Sequence, residues 1–278
     1  MKTKRLPFPR KQEDIHELLD RIDEKLLNCS EKFVRLQVKR PIEKMLSDKI
    51  EYYDYESPQF DWFNIYSVYC SNQQINEACN KFWATVELAN ITSNEVWKKS
   101  YSPMGENFSG TFLLGTLIPT LYYSQLSAMI SMLSSFGCIP LIVSRAPYFL
   151  VRTERGWTLF HRPTYLKEVL GITAHGWHEQ IIRAYNELAE KGIGLPSLNI
   201  KKILKLKELR NSLHYEILGD LRMWRILKSK KAYLTYFPLV EKSIDLAIEN
   251  LSRIKKVISG CDTRLLNLQN NLKKVELD

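Results

Sequence analysis

Tyr122-Tyr123-Ser124-Gln125-Leu126-Ser127-Ala128-Met129-Ile130-Ser131-Met132-Leu133-Ser134-Ser135-Phe136 contains no charged residue, and its reading decides the fold. Tyr122, Leu126, Met129, Leu133 and Phe136 step by four, three, four and three, the stripe of a buried helix. The uncharged run extends further, from Asn107 to Ser144, which raises the question of a membrane helix. Pro119, Gln125, the serines and the Gly137–Pro140 segment interrupt it, and no stretch of about 18 apolar residues survives. The sequence therefore predicts a core helix and no membrane partner.

Outward from this run the chain stays helical. Residues 1–11 read as a tail, and Ile15, Leu18, Leu19, Ile22 and Leu26 mark a helix after it. A second helix is expected from Glu31 to Tyr53 with a break at Pro41, followed by a polar-aromatic connector, Tyr52 to Pro58. Asp61 is a plausible N-cap for a long helix carrying Phe63, Ile65, Val68, Ile75, Ala78, Phe82 and Val86. Residues 99–109 read as a loop and a boundary.

Beyond Pro140, Leu141-Ile142-Val143, Tyr148 to Val151 and Trp157 to Phe160 resemble extended segments or a small hairpin, separated by Glu154-Arg155-Gly156. Gly171 to Ala189 returns to helix, with His175 at its start and Trp177 buried. Gly192, Gly194 and Pro196 end it. Asn199 or Ser197 can cap the next helix, whose stripe Leu206, Leu209, Leu213 and Ile217 is expected to face the core. Leu239 to Ile258 is a final amphipathic helix. The expected organisation is an N-terminal helical region (1–105), a mainly α helical bundle with a small extended insertion (106–260), and a charged tail (261–278).

Composition agrees with a helical core protein. Of 278 residues, 45% are hydrophobic and 11% aromatic, with only 11 Gly and 11 Pro, which excludes disordered and fibrous classes and disfavours a hairpin-rich fold. Five scattered cysteines, with no Cys-x-x-Cys pair, argue against a disulfide framework or a thiolate zinc site. Reduced thiols and the lack of a secretory pattern lead to an expected cytoplasmic location.

Net charge is +9, and it is concentrated. Lys201 to Lys231 carries seven net positive charges, interleaved with Tyr215 and Trp224, a pattern suited to single-stranded RNA. The plain alternative is a solvated helix face with snorkelling lysines.

Within that stretch lies Leu209-Arg210-Asn211-Ser212-Leu213-His214-Tyr215. Four residues apart on a helix, Arg210 and His214 differ by about 40° of rotation and share one face. A permanent guanidinium beside an imidazole that titrates near neutrality suits phosphodiester chemistry. His214 would act as general acid or base, and Arg210 with nearby lysines would stabilise charge on the phosphate, without metal or cofactor. The alternative is that both are ordinary helix residues. His175 and His178 with Glu179 lack further zinc ligands, so no metal site is expected. No Gly-rich phosphate loop, Gly-x-Ser-x-Gly or His-Glu-x-x-His motif is present.

Three pieces taken in order resemble the HEPN superfamily of α-helical bundles. Tyr122 to Pro140 is similar to that superfamily's first core helix, His175-Gly176-Trp177 to its His-Ser-Gly step, and Leu209 to Tyr215 to its Arg…His signature. The resemblance spans residues 115–258. It implies a metal-independent endoribonuclease of toxin–antitoxin or anti-phage type, with Arg210 and His214 of two protomers facing a shared basic cleft. It further implies RNA as substrate, a homodimer and a possible antitoxin or regulatory protein. Asn211, Tyr215, Lys207, Arg222 and Arg225 would support or bind the RNA. Here three residues separate Arg from His, where the usual pattern has four to six. The short spacing is similar to that of a sub-branch with Arg, three residues, then Asp or His followed by Tyr, and the alternative it leaves open is a catalytically inactive HEPN-like module that binds RNA, a nucleotide or a protein.

Overall fold

The computed structural model of the chain describes residues 29–47, 50–93, 107–212, 239 and 242–254, without the side chains of 86–93 and 107–115. In chain order the elements are α1 (Glu31–Ser47), β1 (Tyr52–Tyr53), α2 (Pro58–Ser93), α3 (Asn107–Ser135), β2 (Cys138–Val143), β3 (Ala146–Thr153) and β4 (Gly156–His161). After them come α4 (Arg162–Tyr165), which continues as a π-helical turn at Leu166–Leu170, then α5 (Trp177–Glu190), α6 (Ile200–Asn211) and α7 over 242–254. The described residues are thus mainly α-helical with one small antiparallel sheet. No helix among them is long and apolar enough to cross a membrane.

The described residues divide between two compact units. One takes those of Met1–Ile75 and Ala128–Ser197, the other those of Asn76–Ser127 and Leu198–Lys256.

The first unit is built on the sheet. Its strand order is β1-β4-β3-β2, antiparallel throughout, with Leu150 opposite both Ile139 and Leu159. The β2–β3 turn consists of Ser144 and Arg145, at φ 50° and 68°. Two successive left-handed residues match the right-handed strand twist, as in type I′ hairpin turns. The extended insertion is therefore a three-stranded meander, to which β1 adds through Tyr52↔Thr158 and Tyr53↔Trp157. That addition replaces the end of the expected Glu31–Tyr53 helix, which stops at Ser47, and the start of the expected connector. It requires Gly156, at φ 129°, where a Cβ would lie 2.0 Å from the Tyr53 carbonyl oxygen.

Against this sheet α1 buries Val34, Val38, Pro41, Ile42 and Met45, a stripe at helical spacing. The helix runs through Pro41 rather than breaking there. Pro41 lies on the buried face, where packing offsets the missing N–H bond. Phe60, Phe63, Ile139, Leu150 and Trp157 complete the core, and Trp157 Nε1 donates to Asn64 Oδ1 at 3.1 Å. Helix α2 starts earlier than expected. Pro58 occupies its first turn and the Ser57 hydroxyl accepts from the Gln59 N–H at 3.3 Å, so Asp61 sits inside the helix.

Helix α3 buries the expected core stripe at Tyr122, Leu126, Met129 and Leu133, and Phe136, just past its last residue, is buried as well. Burial goes all the way round, however, and includes Ser124, Gln125, Ser127, Ser131 and Ser134. The serines bond to α2. In the first unit Ser131 Oγ donates to the Ser71 carbonyl at 2.8 Å, and Ser67 donates to the Ser134 carbonyl. In the second unit Ser124 Oγ donates to the Ala78 carbonyl at 2.7 Å.

Four cysteines lie among the described residues and none is disulfide-bonded. Cys70, Cys79 and Cys138 are buried. Cys261 lies outside the described residues.

Candidate functional site

The second unit contains Arg210. Asn199 caps α6, its side chain accepting from the Lys202 N–H at 3.3 Å. The cap is itself fixed by buried Asn250, whose Oδ1 accepts from the Asn199 N–H at 3.4 Å while its Nδ2 donates to Gln125 Oε1 at 2.8 Å. This polar junction sets the start of α6 against α3 and α7, and hence the direction in which Arg210 projects.

Ile203, Leu206 and Arg210 form the buried face of α6. The expected stripe of Leu206 and Leu209 is rotated: Leu209 is half-buried and Arg210, 9% exposed, takes the inward position. Spacing of three and four residues from Ile203 accounts for this, and the arginine is accommodated because its polar partners come with it. Its guanidinium lies 5.1 Å from the centre of the Tyr123 ring and 5.9 Å from that of Tyr122. Nη2 donates to the Tyr123 hydroxyl and Nη1 to Asn211 Oδ1 at 2.8 Å. On the other side, the Lys81 ammonium lies 5.2 Å from the Tyr123 ring centre and pairs with Glu77. The result is one cationic and aromatic cluster drawn from α2, α3 and α6.

Of the residues assigned from sequence, Arg210 and Asn211 therefore meet. Lys207 is half-buried on α6. His214, Tyr215, Arg222 and Arg225 lie outside the described residues. Tyr123 and Lys81 were not singled out as site residues. The paired tyrosines were the sequence signal for the first, and nothing local linked them to Arg210, 87 residues away.

Beside the cluster, α6 and α7 border a cleft of about 380 Å³ lined by Lys202, Lys205, Leu206, Leu209, Lys242 and Leu246. Asp245 and Glu249 also line it, and Glu249 pairs with Arg253 at 2.7 Å. The basic face of α6 is therefore partly balanced by acids on α7.

The His175 region differs from expectation. His175 is exposed, the N-cap of α5 is Gly176 with no side-chain cap, and Trp177 is 44% exposed. Trp177 lies off the buried stripe of α5, which runs through Ile181, Ala184, Tyr185 and Leu188. Among the described residues no three or more His, Cys, Asp or Glu side chains gather as metal ligands.

No family model, curated protein or solved structure matches the chain.

Proposed function

We propose that the chain is a HEPN-like, RNA-directed protein whose centre is built around Arg210, acting as a metal-independent endoribonuclease with His214 as general acid or base. The observation that supports this reading is the meeting of Tyr122-Tyr123 with Arg210-Asn211. These are the two most informative pieces of the sequence resemblance, and they form one cluster in one unit. A guanidinium held by a phenol and an amide is fixed in direction before any phosphate arrives, which is what stabilising a developing charge requires. The lysines of α6 add long-range attraction for a polyanion. Under this reading the chain functions as a homodimer in a defence or toxin role, with an antitoxin or other regulator as its partner.

The burial of Arg210 favours a second reading, in which the cluster is structural and the module binds RNA without cutting it. Incubation of the full chain with single-stranded RNA in EDTA separates the two. The nuclease reading expects cleavage that His214→Ala and Arg210→Lys reduce at least a hundredfold, with helical content and Tm retained for His214→Ala. The second reading expects salt-dependent binding, with the RNA recovered intact. Neither cleavage nor binding would refute both.

A further inference from the structure

We propose that Arg162, in the first unit, is the anion-binding group of a second site that takes a small organic monocarboxylate, with Trp177 as its cover.

Arg162 is fully buried. Nη2 spends both protons on backbone carbonyls, donating to Leu141 at 3.0 Å and Tyr148 at 3.2 Å. Among the described residues, Nε and Nη1 have no hydrogen-bond partner and no carboxylate pairs with the guanidinium. A buried cation with no counter-ion is costly, and natural proteins nearly always pair it. One helical turn on, the Tyr165 hydroxyl is likewise buried with no partner. Arg162 and Tyr165 both pack on Phe149, the guanidinium 4.9 Å from the ring centre and the phenol ring at 5.6 Å. Burial lowers the Arg162 pKa to about 10, so the group remains a cation at neutral pH.

Trp177 closes the arrangement. Its ring centre lies 5.6 Å from the guanidinium, yet the side chain is 44% exposed. It therefore stands between the buried charge and solvent. Left-handed glycines bracket the segment before it, Gly171 at φ 74° and Gly176 at φ 79°, and a Cβ at either would meet open space. A π-helical turn, Leu166–Leu170, leads into that segment, and such turns are rare and concentrate at functional sites.

The ligand class follows from charge and lining. One cation in an aromatic surround is neutralised by one negative charge, whereas a phosphate dianion would bring an unbalanced second one. The rings of Phe149, Phe160, Tyr165 and Trp177 suit an apolar body. A carboxylate oxygen would accept from Nη1 once the Trp177 ring moves aside.

The test is a titration of the full chain with sodium benzoate, acetate and inorganic phosphate at constant ionic strength, followed by tryptophan fluorescence and Tm. Benzoate is expected to give a saturable fluorescence change and a Tm that rises with the logarithm of its concentration. Acetate should act at higher concentration, and phosphate should do neither. Arg162→Met should abolish both responses. Trp177→Phe alters a side chain already half in solvent. It should lose most of the fluorescence change and raise the benzoate concentration needed for the Tm response, so it decides the matter even if Arg162→Met does not fold. The proposal is overturned if wild-type protein shows no saturable response to benzoate, if phosphate acts as well as benzoate, or if the fluorescence change survives in Trp177→Phe.

Discussion

Gly156 and Arg145 occupy backbone conformations that L side chains rarely adopt, for opposite reasons. At Gly156 the close approach of the Tyr53 carbonyl leaves no room for a Cβ, so Gly156→Ala should cost about 3 kcal/mol or more and detach β1. Arg145, at φ 68°, sits in the turn instead of the glycine that a type I′ geometry prefers. Arg145→Gly should raise stability by about 1 kcal/mol, measured by urea unfolding. At the Arg210 cluster, Tyr123→Phe removes the hydroxyl that accepts from Nη2 of the buried guanidinium. A loss of about 1–3 kcal/mol is expected, larger than for a surface tyrosine.

At the scale of elements, buried serines bridge α2 and α3 by hydrogen bonds. Ser71 Oγ and Ser131 Oγ lie 3.1 Å apart, and Ser131 also bonds the Ser71 carbonyl. Ser131→Ala should therefore cost only about 1 kcal/mol, whereas Ser131→Leu overfills the contact and should cost about 1–3 kcal/mol, both read from denaturant midpoints. The uncharged run showed in sequence that α3 is buried, because five apolar residues at helical spacing identify a core face. It did not show that the serines are buried as well, since a hydroxyl bonding a neighbouring helix has no local signature. The meander was legible for the same local reason as the stripe, namely β-branched and aromatic runs between turn residues. The pairing of β1 was not, because Tyr52 and Tyr53 join β4 across about a hundred residues. Arg210 shows both sides: the motif marked the residue, and only the phase of α6 revealed that it faces inward.

Across the whole molecule, buried acidic protons give stability a direction with pH. Burial pushes the Cys138 thiol up to about 12 and the Cys70 thiol up to about 11 from an ordinary value near 9, and it also raises the phenols of Tyr66, Tyr165 and Tyr185. The folded chain keeps these protons where the unfolded chain releases them. The stabilisation is complete below pH of about 9 and is lost as pH rises toward 11–12. Thermal unfolding should show Tm falling steadily over that window, with a shallower slope in Cys138→Ala.

The proposed nuclease reading rests on the guanidinium of Arg210, held by Tyr123 and Asn211, and cleavage tests that reading most directly. End-labelled single-stranded RNA is incubated in EDTA with the wild-type chain, His214→Ala and Arg210→Lys, each first shown to be helical by circular dichroism. The account predicts defined fragments from the wild type and at least a hundredfold slower cleavage by both variants. Intact RNA with the wild type, or unchanged cleavage by folded His214→Ala, would contradict it.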